Sequence, residues 1–412
     1  MLKKIFSLVL ILMLWLASSF WYNTSAYAFT EEQKLLLQSW RIVNQSYLDD
    51  TFNHQNWWKL REKYIKKPLG DREETYTAIE SMLGTLGDPF TRLLRPAQYH
   101  SLQVNTSGEL SGVGLQINLN PDTQLIEVIS PLAGSPAEEA GIKPKDSILE
   151  IDGVSTTGIT LDQAAAMMRG KIGTTVSLRV RSEQEQASAR NVEIMRDRIS
   201  LNPVYTALDT NTEQKIGYVR LNQFSANAAE EIARGVNKLE EQGAEAYILD
   251  LRNNPGGLLQ AGVEIARMWL EGGTIVYTVN RQGALDSFDS NLEVLTNSPL
   301  VVLVNQGTAS ASEILAGALQ DNQRAMLVGE KTFGKGLIQS LFELPGGAGL
   351  AVTVAKYETP NHTDINKLGI MPDDVIDQQP ITYTQIATDA DLQYQEAVRL
   401  LTSESKTLAQ AG

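Results

Sequence analysis

The chain has 412 residues, with 35 basic and 49 acidic side chains, three histidines and no cysteine. Its net charge of −14 argues against nucleic acid and anionic lipid as partners, because both repel an acidic chain. Without cysteine there are no disulfides, thiolate metal sites or cysteine nucleophiles, and three histidines disfavour a histidine-rich metal site.

The first 28 residues have the pattern of a cleaved secretory signal. Two lysines, Lys3 and Lys4, precede the apolar run Ile5–Leu16, and Ala26-Tyr27-Ala28 has the small–x–small pattern of a signal-peptidase site. The alternative is a membrane anchor, but the apolar run is shorter than the roughly 20 residues that span a bilayer. We therefore expect residues 1–28 to be removed and the exported chain to keep no stable membrane anchor.

Residues 29–105 are predicted to form a helical domain. The segment Thr30–Gln33 has the pattern of a capping box before apolar residues at helical spacing, and Asp71–Glu74 repeats a helix-start pattern. Trp57 and Trp58 are expected to be core or interface residues, with a ligand platform as the alternative.

Residues 106–196 contain short β segments and many glycines. The glycine-rich turn and strand Ser111–Ile117 come first, and a helix is predicted over 162–169 and a strand over 175–181. The segment Gly141–Gly153, Gly-Ile-Lys-Pro-Lys-Asp-Ser-Ile-Leu-Glu-Ile-Asp-Gly, gives this region a specific resemblance to a PDZ domain in the circularly arranged form of bacterial proteases. The alternative is a small β-barrel with ordinary glycine turns.

A PDZ domain would suit a receptor for peptide C-termini. Backbone amides of a glycine-rich turn can bind a carboxylate, and the edge of the next strand can accept a peptide by β-augmentation. We expect that role for Gly112, Val113, Gly114 and Leu115. Arg169, at the end of the predicted helix, has two open interpretations: a sensor of bound peptide or a charge at a helix C-terminus.

Residues 197–412 alternate strands and helices, which predicts an α/β domain with a largely parallel sheet and a closing C-terminal helix. The predicted strands are 216–221, 247–251, 275–279, 300–304 and 325–328, with a later strand over 350–357. The predicted helices are 226–242, 258–269, 310–321 and 388–402.

Ser310 is the candidate nucleophile. It follows the apolar strand 300–304 and opens a helix, which places it at the edge of the sheet where sites of open α/β folds lie. A helix start also offers unpaired N–H groups to a developing oxyanion. The alternative is that Ser310 and Glu313 form a capping box, and the neighbouring Ser312 is expected to face the side of the helix.

Lys335 is the candidate base. A neutral lysine can activate a serine, provided that burial or positive charge lowers its pKa from about 10.4. Gln339 would hold the amine by hydrogen bonding. The alternative is a solvated lysine in a glycine loop, and the neighbouring Lys331 is expected to meet solvent.

The candidate oxyanion site is the turn Asp-Leu-Arg-Asn-Asn-Pro-Gly-Gly, residues 250–257. Amides at Gly256 and Gly257, together with that of Ala311, would bind the substrate carbonyl oxygen. Taken alone, the segment is also compatible with an ordinary βα loop.

Together these three segments resemble the carboxyl-terminal processing peptidases, or tail-specific proteases. Thr-Ala-Ser-Ala-Ser-Glu, Thr-Phe-Gly-Lys-Gly and Asp-Leu-Arg-Asn-Asn-Pro-Gly-Gly match the nucleophile, base and oxyanion segments of that family, and Gln339 matches its third catalytic residue. The resemblance implies a crotonase/ClpP-like α/β serine protease core with an inserted PDZ domain. It implies a monomeric endopeptidase that acts on free C-terminal tails through an acyl-enzyme, with no metal, other cofactor or nucleic acid.

Two further segments, 88–92 and 357–370, look most like those of cyanobacterial and plastid members. Those members mature the C-terminal extension of a photosystem II reaction-centre polypeptide in the thylakoid lumen. We therefore expect that substrate, and a location in the thylakoid lumen or periplasm. The alternatives are general tail-specific degradation in the periplasm, a PDZ adaptor with an inactive protease fold, and an acyl-CoA enzyme of crotonase type.

Overall fold

The structure is a computed structural model that describes residues 29–411, apart from residues 122, 133, 183–188, 213, 284 and 292. The predicted signal sequence and its cleavage site lie outside these residues. Among the described helices, none combines the length and the apolar character needed to cross a bilayer.

The N-terminal segment is helical, as predicted. Its elements are α1 Glu31–Ser46, α2 Trp57–Ile65, α3 Arg72–Gly84, β1 Arg92–Leu94 and α4 Pro96–Ser107. Both predicted helix starts are confirmed, because Thr30 and Gln33 form a capping box and the Asp71 side chain accepts the Glu74 N–H at 2.8 Å. Trp57 is buried, whereas Trp58 is 57% exposed and so is not a core residue.

This helical segment packs against the α/β core. Strand β1 pairs with β18, Gly349–Glu358, and buried side chains of α1 and α3 share one apolar cluster with Leu350 and Val352 of β18. The turn that leads into β1, residues 88–91, is thereby held against the sheet that contains β18.

The predicted PDZ domain is inserted between two paired strands. The chain enters through β2, Glu109–Gly112, and leaves through β9, Asp197–Ser200, which pairs with β2 in antiparallel fashion. The domain's main sheet has the order β3-β4-β5-β7-β8, so β3 is an edge strand. The elements between β2 and β9 are β3 Leu115–Leu119, β4 Ile126–Pro131, α5 Pro136–Glu139, β5 Ser147–Ile151, β6 Val154–Ser155, α6 Leu161–Met168, β7 Thr175–Arg181 and β8 Arg190–Met195.

The core contains the predicted parallel sheet. Its order is β10-β11-β12-β15-β16-β19, with only the edge strand β10 antiparallel to its neighbour. Apolar helices pack on one face, and the closing helix α10 packs on the other through Tyr394, Ala397 and Leu401. The elements are β10 Val204–Asp209, β11 Ile216–Leu221, α7 Ala228–Glu241, β12 Ala246–Asp250, α8 Leu259–Arg267, β15 Leu300–Val304, α9 Ala311–Asp321, β16 Met326–Gly329, β19 Asp374–Val375, a 3₁₀ turn Tyr383–Gln385 and α10 Leu392–Ala411.

One predicted strand lies in a different sheet. The segment expected over 275–279 is β13, Thr274–Asn280, and it pairs in antiparallel fashion with β18 and with β14, Leu285–Asp289. Strand β17, Leu337–Glu343, also pairs with β18. Alternation of strands and helices along the chain does not distinguish two adjacent sheets, which is why the sequence grouped β13 with the parallel strands.

Candidate active site

Ser310 occupies the turn between β15 and α9 in a strained conformation. Its φ is +58° and its ψ is −119°, a combination that a non-glycine residue adopts at an energetic cost. The Glu313 N–H donates to the Ser310 carbonyl oxygen at 2.8 Å, and the hydroxyl makes no side-chain cap hydrogen bond. The Glu313 carboxylate also accepts the Ser310 N–H at 2.9 Å, so the capping uses the Ser310 backbone and leaves its hydroxyl available for chemistry.

Gly256 packs directly against this turn, and Gly257 packs against Phe224. A Cβ on Gly256 would lie 2.6 Å from the Ala309 carbonyl oxygen, and one on Gly257 would lie 2.2 Å from the Phe224 carbonyl oxygen. Both positions also have positive φ, +93° and +151°. Close approach and backbone conformation therefore both require glycine here.

The hydrogen bonds correct one part of the oxyanion prediction. The Gly256 N–H donates to the Asn254 side-chain oxygen at 2.9 Å, so it is not available to a substrate. The amides of Gly257 and Ala311 have no hydrogen-bond partner among the described residues. These two are the N–H groups that remain for an oxyanion.

Asn254 ties the glycine turn to the segment that carries Ser310. Its carbonyl oxygen accepts the Ala309 N–H and the Ser312 hydroxyl, both at 3.0 Å. Its side chain donates to the Leu221 carbonyl at 2.8 Å. Ser312 is fully buried and committed to this contact, which makes it a structural residue beside the candidate nucleophile.

Lys335 lies in the segment between β16 and β17. Its Nζ sits 4.9 Å from the ring centre of Phe90, and no hydrogen bond joins it to Ser310 in the described part of the chain. Burial lowers the pKa of Lys335 below its ordinary value, and the positive charge of Arg92 lowers it further, while Asp88 and Glu313 oppose the shift. This is the direction that a lysine base requires. Lys331 is exposed, as predicted.

Gln339 and Thr353 connect strands β17 and β18 to the N-terminal segment. The Gln339 amide donates to the Thr353 hydroxyl at 3.4 Å, and that hydroxyl donates to the Asp88 carboxylate at 2.7 Å. The sequence had suggested that Gln339 holds the Lys335 amine, but Gln339 does not hold it directly in this structure. Asp88 also accepts the Thr91 hydroxyl at 2.7 Å, which fixes the turn that presents Phe90.

Glu313 is a site residue that sequence analysis treated only as a cap. Its fully buried carboxylate accepts four hydrogen bonds, from the N–H groups of Ser310, Gly334 and Lys335 and from the Thr332 hydroxyl, at 2.6–2.9 Å. One side chain thus binds both the nucleophile segment and the lysine segment. The spacing of a capping box is the same whether the glutamate binds one segment or two, so the sequence held no signal for the second contact.

Tyr357 bridges the same two segments through its hydroxyl group. Its hydroxyl lies 3.0 Å from the Ser310 carbonyl oxygen and also contacts the Lys335 carbonyl oxygen. Burial raises the pKa of Tyr357 well above its usual value, which keeps the hydroxyl protonated and able to donate.

A buried ion network lies at the end of β12, where the glycine turn begins. The Arg252 guanidinium makes two parallel bonds to Asp391, at 2.7 and 2.8 Å, and two more to Asp250, at 2.7 and 3.0 Å. All three side chains are at most 6% exposed. Asp391 precedes α10, so the C-terminal helix is fastened to the strand end from which the glycine turn departs.

Ser310, Lys335 and Gln339 line one cavity of about 360 Å³, together with Gly257 and Ala311. The cavity brings together the predicted nucleophile, base and third residue with both remaining amides. Apolar side chains complete its wall, which suits an extended peptide with apolar side chains; these are Leu102, Leu258, Leu259, Ile314, Leu337, Ile338 and Leu341.

The predicted carboxylate-binding segment 112–115 does not line this cavity. Gly112, Val113 and Gly114 are buried within the PDZ domain, and Gly114 has a φ of +78°. Arg169 is the C-cap of α6, and its Cα would lie 3.6 Å from a Cβ on Gly112. The end of the PDZ helix therefore packs against the start of the predicted peptide-binding segment.

Comparison with known proteins agrees with this geometry. The family model described as peptidase family S41 matches residues 215–376, and a PDZ domain model matches residues 101–181. The chain is 68% identical over 379 residues to the carboxyl-terminal-processing protease of Synechocystis sp.. The alignment covers 92% of this chain and 88% of that protein. The chain belongs to peptidase family S41.

Other S41 relatives place the chain among carboxyl-terminal-processing serine peptidases. Carboxyl-terminal-processing peptidase 2 of Arabidopsis thaliana, a chloroplastic protein, is 46% identical over 84% of this chain and 69% of its own length. A solved photosystem II D1 C-terminal processing protease matches with 40% identity and a TM-score of 0.51, over 85% of this chain and 94% of that one. The predicted family, the protease core with its PDZ domain and the hydrolase class are thereby confirmed.

Proposed function

We propose that Ser310 is the nucleophile and Lys335 the general base and acid of this S41 peptidase. Neutral Lys335 takes the proton of the Ser310 hydroxyl as Oγ attacks the scissile carbonyl carbon, and the amides of Gly257 and Ala311 bind the oxyanion. The C–N bond then breaks as Lys335 returns the proton to the leaving amine. Lys335 next deprotonates a water that attacks the acyl ester, and the proton passes back to Ser310.

In this mechanism the Lys335 side chain moves from Phe90 toward the Ser310 hydroxyl before it acts as a base. A protonated Nζ over the face of Phe90 gains cation–π attraction, which holds it away from the Ser310 hydroxyl. Loss of the proton removes that attraction, and burial favours the neutral amine. Gln339, on the adjacent strand in the same cavity, is the partner that we assign to the amine once it has moved.

Substrate tails bind to the PDZ domain in this proposal. An extended peptide adds to the free edge of β3, and its terminal carboxylate meets amides of Gly112 to Leu115. The position of β3 at the sheet edge supports this mode of binding. A single chain supplies every proposed catalytic group, so a monomer is sufficient for activity.

The proposed substrate is the C-terminal extension of a photosystem II reaction-centre protein. The likeness to the D1 processing protease and to cyanobacterial and chloroplastic relatives supports this assignment. The predicted signal sequence supports export to the thylakoid lumen or periplasm.

A peptide assay tests the catalytic and recognition parts together. A synthetic peptide with the C-terminal extension of such a protein is expected to yield one new N-terminus with the wild-type chain and none with Ser310→Ala. Amidation of the tail is expected to slow cleavage by about 10- to 100-fold, mainly through KM, because a charge-assisted hydrogen bond contributes about 1.5–3 kcal/mol.

Three outcomes contradict separate parts of the proposal. Equal rates for free and amidated tails exclude carboxylate recognition. Equal rates for an unrelated apolar tail of the same length indicate general tail-specific degradation instead. Binding of the tail by the wild-type chain without any cleavage indicates a PDZ adaptor with an inactive protease fold.

A further inference from the structure

Helix α2 and the two residues after it carry a concentration of positive charge. The sequence of residues 57–67 is Trp-Trp-Lys-Leu-Arg-Glu-Lys-Tyr-Ile-Lys-Lys, with five cationic side chains and one acidic one. The whole chain has a net charge of −14, so this segment has the opposite sign to the rest of the protein. We call its exposed members the Trp58 patch; they are Trp58, Lys59, Glu62, Lys63, Lys66 and Lys67.

The lysines of the Trp58 patch are not neutralised within the structure. All four are exposed, and none forms an ion pair with any described residue. The acidic residues at the start of α1, which contacts α2 through a Gln33–Ile65 hydrogen bond, have partners of their own. Glu31 pairs with Lys34, and Glu32 pairs with Arg72. The patch therefore presents four lysines, unpaired in the described part of the chain, and one glutamate, Glu62, to solvent, so its net charge stays positive.

Trp58 is exposed yet held in place. Its ring packs edge-on against Trp40 with the centroids 4.7 Å apart, and the Arg61 guanidinium lies 4.9 Å from its centre. Its indole N–H makes no hydrogen bond to the described residues, whereas those of Trp40 and Trp57 donate to backbone carbonyls. Trp58 therefore presents a fixed aromatic surface and an unused donor, which lowers the entropic cost of docking.

The opposite face of α2 is fixed in the helical core. Trp57 and Tyr64 are 2% and 5% exposed, and both belong to the apolar cluster that includes α1, α3 and β18. The helix can therefore lie along a surface without leaving the domain. An interfacial helix has this arrangement, with aromatic and lysine side chains directed outward and the helix axis in the plane.

We infer that the Trp58 patch docks the protein reversibly on a bilayer containing anionic lipid. Lysines near such a surface each add attraction to the negative headgroups, and tryptophan favours the interfacial layer, where its ring is apolar and its N–H is hydrogen-bonded. The net charge had suggested that anionic lipid repels the chain. Screening limits that repulsion to about 8 Å at physiological salt, so a local positive patch can be attracted despite an acidic remainder.

This inference is independent of the catalytic proposal, because no residue of the patch lines the cavity of Ser310 and Lys335. Vesicle flotation tests it with the protein as recovered after export. We expect binding to vesicles of phosphatidylcholine with phosphatidylglycerol, weaker binding to phosphatidylcholine alone, and loss of the difference at high salt. Lys66→Glu/Lys67→Glu is expected to weaken binding by about 30-fold or more, and Trp58→Ala to weaken it at unchanged salt dependence.

A matched variant separates the patch from net charge. Lys143→Glu/Lys238→Glu makes the same charge change at two other exposed positions and is expected to retain binding. All variants are expected to cleave a soluble tail peptide at the wild-type rate. Equal binding by both double variants, or no preference for phosphatidylglycerol, overturns the inference. Self-association of the wild-type chain that Trp58→Ala abolishes, without vesicle binding, assigns the patch to a second copy and also overturns it.

Discussion

Glu313→Gln is the substitution that most sharply tests how the site is held together. The Glu313 carboxylate accepts two hydrogen bonds at each oxygen, one pair from Ser310 and Lys335 and the other from Thr332 and Gly334. Glutamine has nearly the same shape but accepts at one oxygen only. Its NH₂ group would face two donors, so two of the four hydrogen bonds must be lost.

The structure sets the size of the effect. Hydrogen bonds to charged groups contribute about 1.5–3 kcal/mol each, so the loss of two predicts a decrease of about 3–6 kcal/mol in the free energy of unfolding. Because the lost bonds position both Ser310 and Lys335, kcat is expected to fall by about 100-fold even in the folded fraction. KM for the tail peptide is expected to change little, since Glu313 does not line the peptide cavity.

Denaturant unfolding and steady-state cleavage of a tail peptide measure the two effects separately. Glu231→Gln is the control, because Glu231 is also buried but pairs with Arg234 on its own helix, far along the chain from the site segments. It is expected to leave kcat unchanged. A Glu313→Gln variant with wild-type kcat and stability would refute the role assigned to this carboxylate.

Three further substitutions test the surroundings of the site. Arg92→Gln removes a positive charge that lowers the pKa of Lys335, so the rise of kcat/KM with pH is expected to shift to higher pH, whereas Arg92→Lys leaves it in place. Gly256→Ala places a Cβ 2.6 Å from a backbone oxygen and is expected to abolish cleavage, whereas Gly134→Ala, also at positive φ but without contacts within 4 Å, retains it. Asp391→Asn weakens a buried ion pair and is expected to lower stability by about 3 kcal/mol, measured by denaturant unfolding.

Much of the site could be predicted because its groups lie on short segments with distinctive local chemistry. Ser310 at a strand-to-helix turn, the glycine pair 256–257 and Lys335 between two glycines are each visible as patterns. The helix starts at Thr30 and Asp71 were predictable for the same reason, since a cap is decided within four residues.

The contacts between distant segments could not be predicted. The hydrogen bond of Gln339 to Thr353 and the ion pair of Arg252 with Asp391 depend on how separate segments meet in space. The turn that presents Phe90 was noticed only as a subfamily marker. Its contact with Lys335 arises because β1 pairs with β18, a register that no local pattern encodes.

The central claim is that a neutral lysine activates Ser310, and the rate of tail-peptide cleavage by Lys335→Arg tests it most directly. Arginine keeps the positive charge and does not lose its proton in proteins. The account predicts that Lys335→Arg is as inactive as Lys335→Ala, while Lys331→Arg, at a neighbouring exposed position, cleaves at the wild-type rate. Near-normal turnover by Lys335→Arg would contradict the Ser–Lys mechanism.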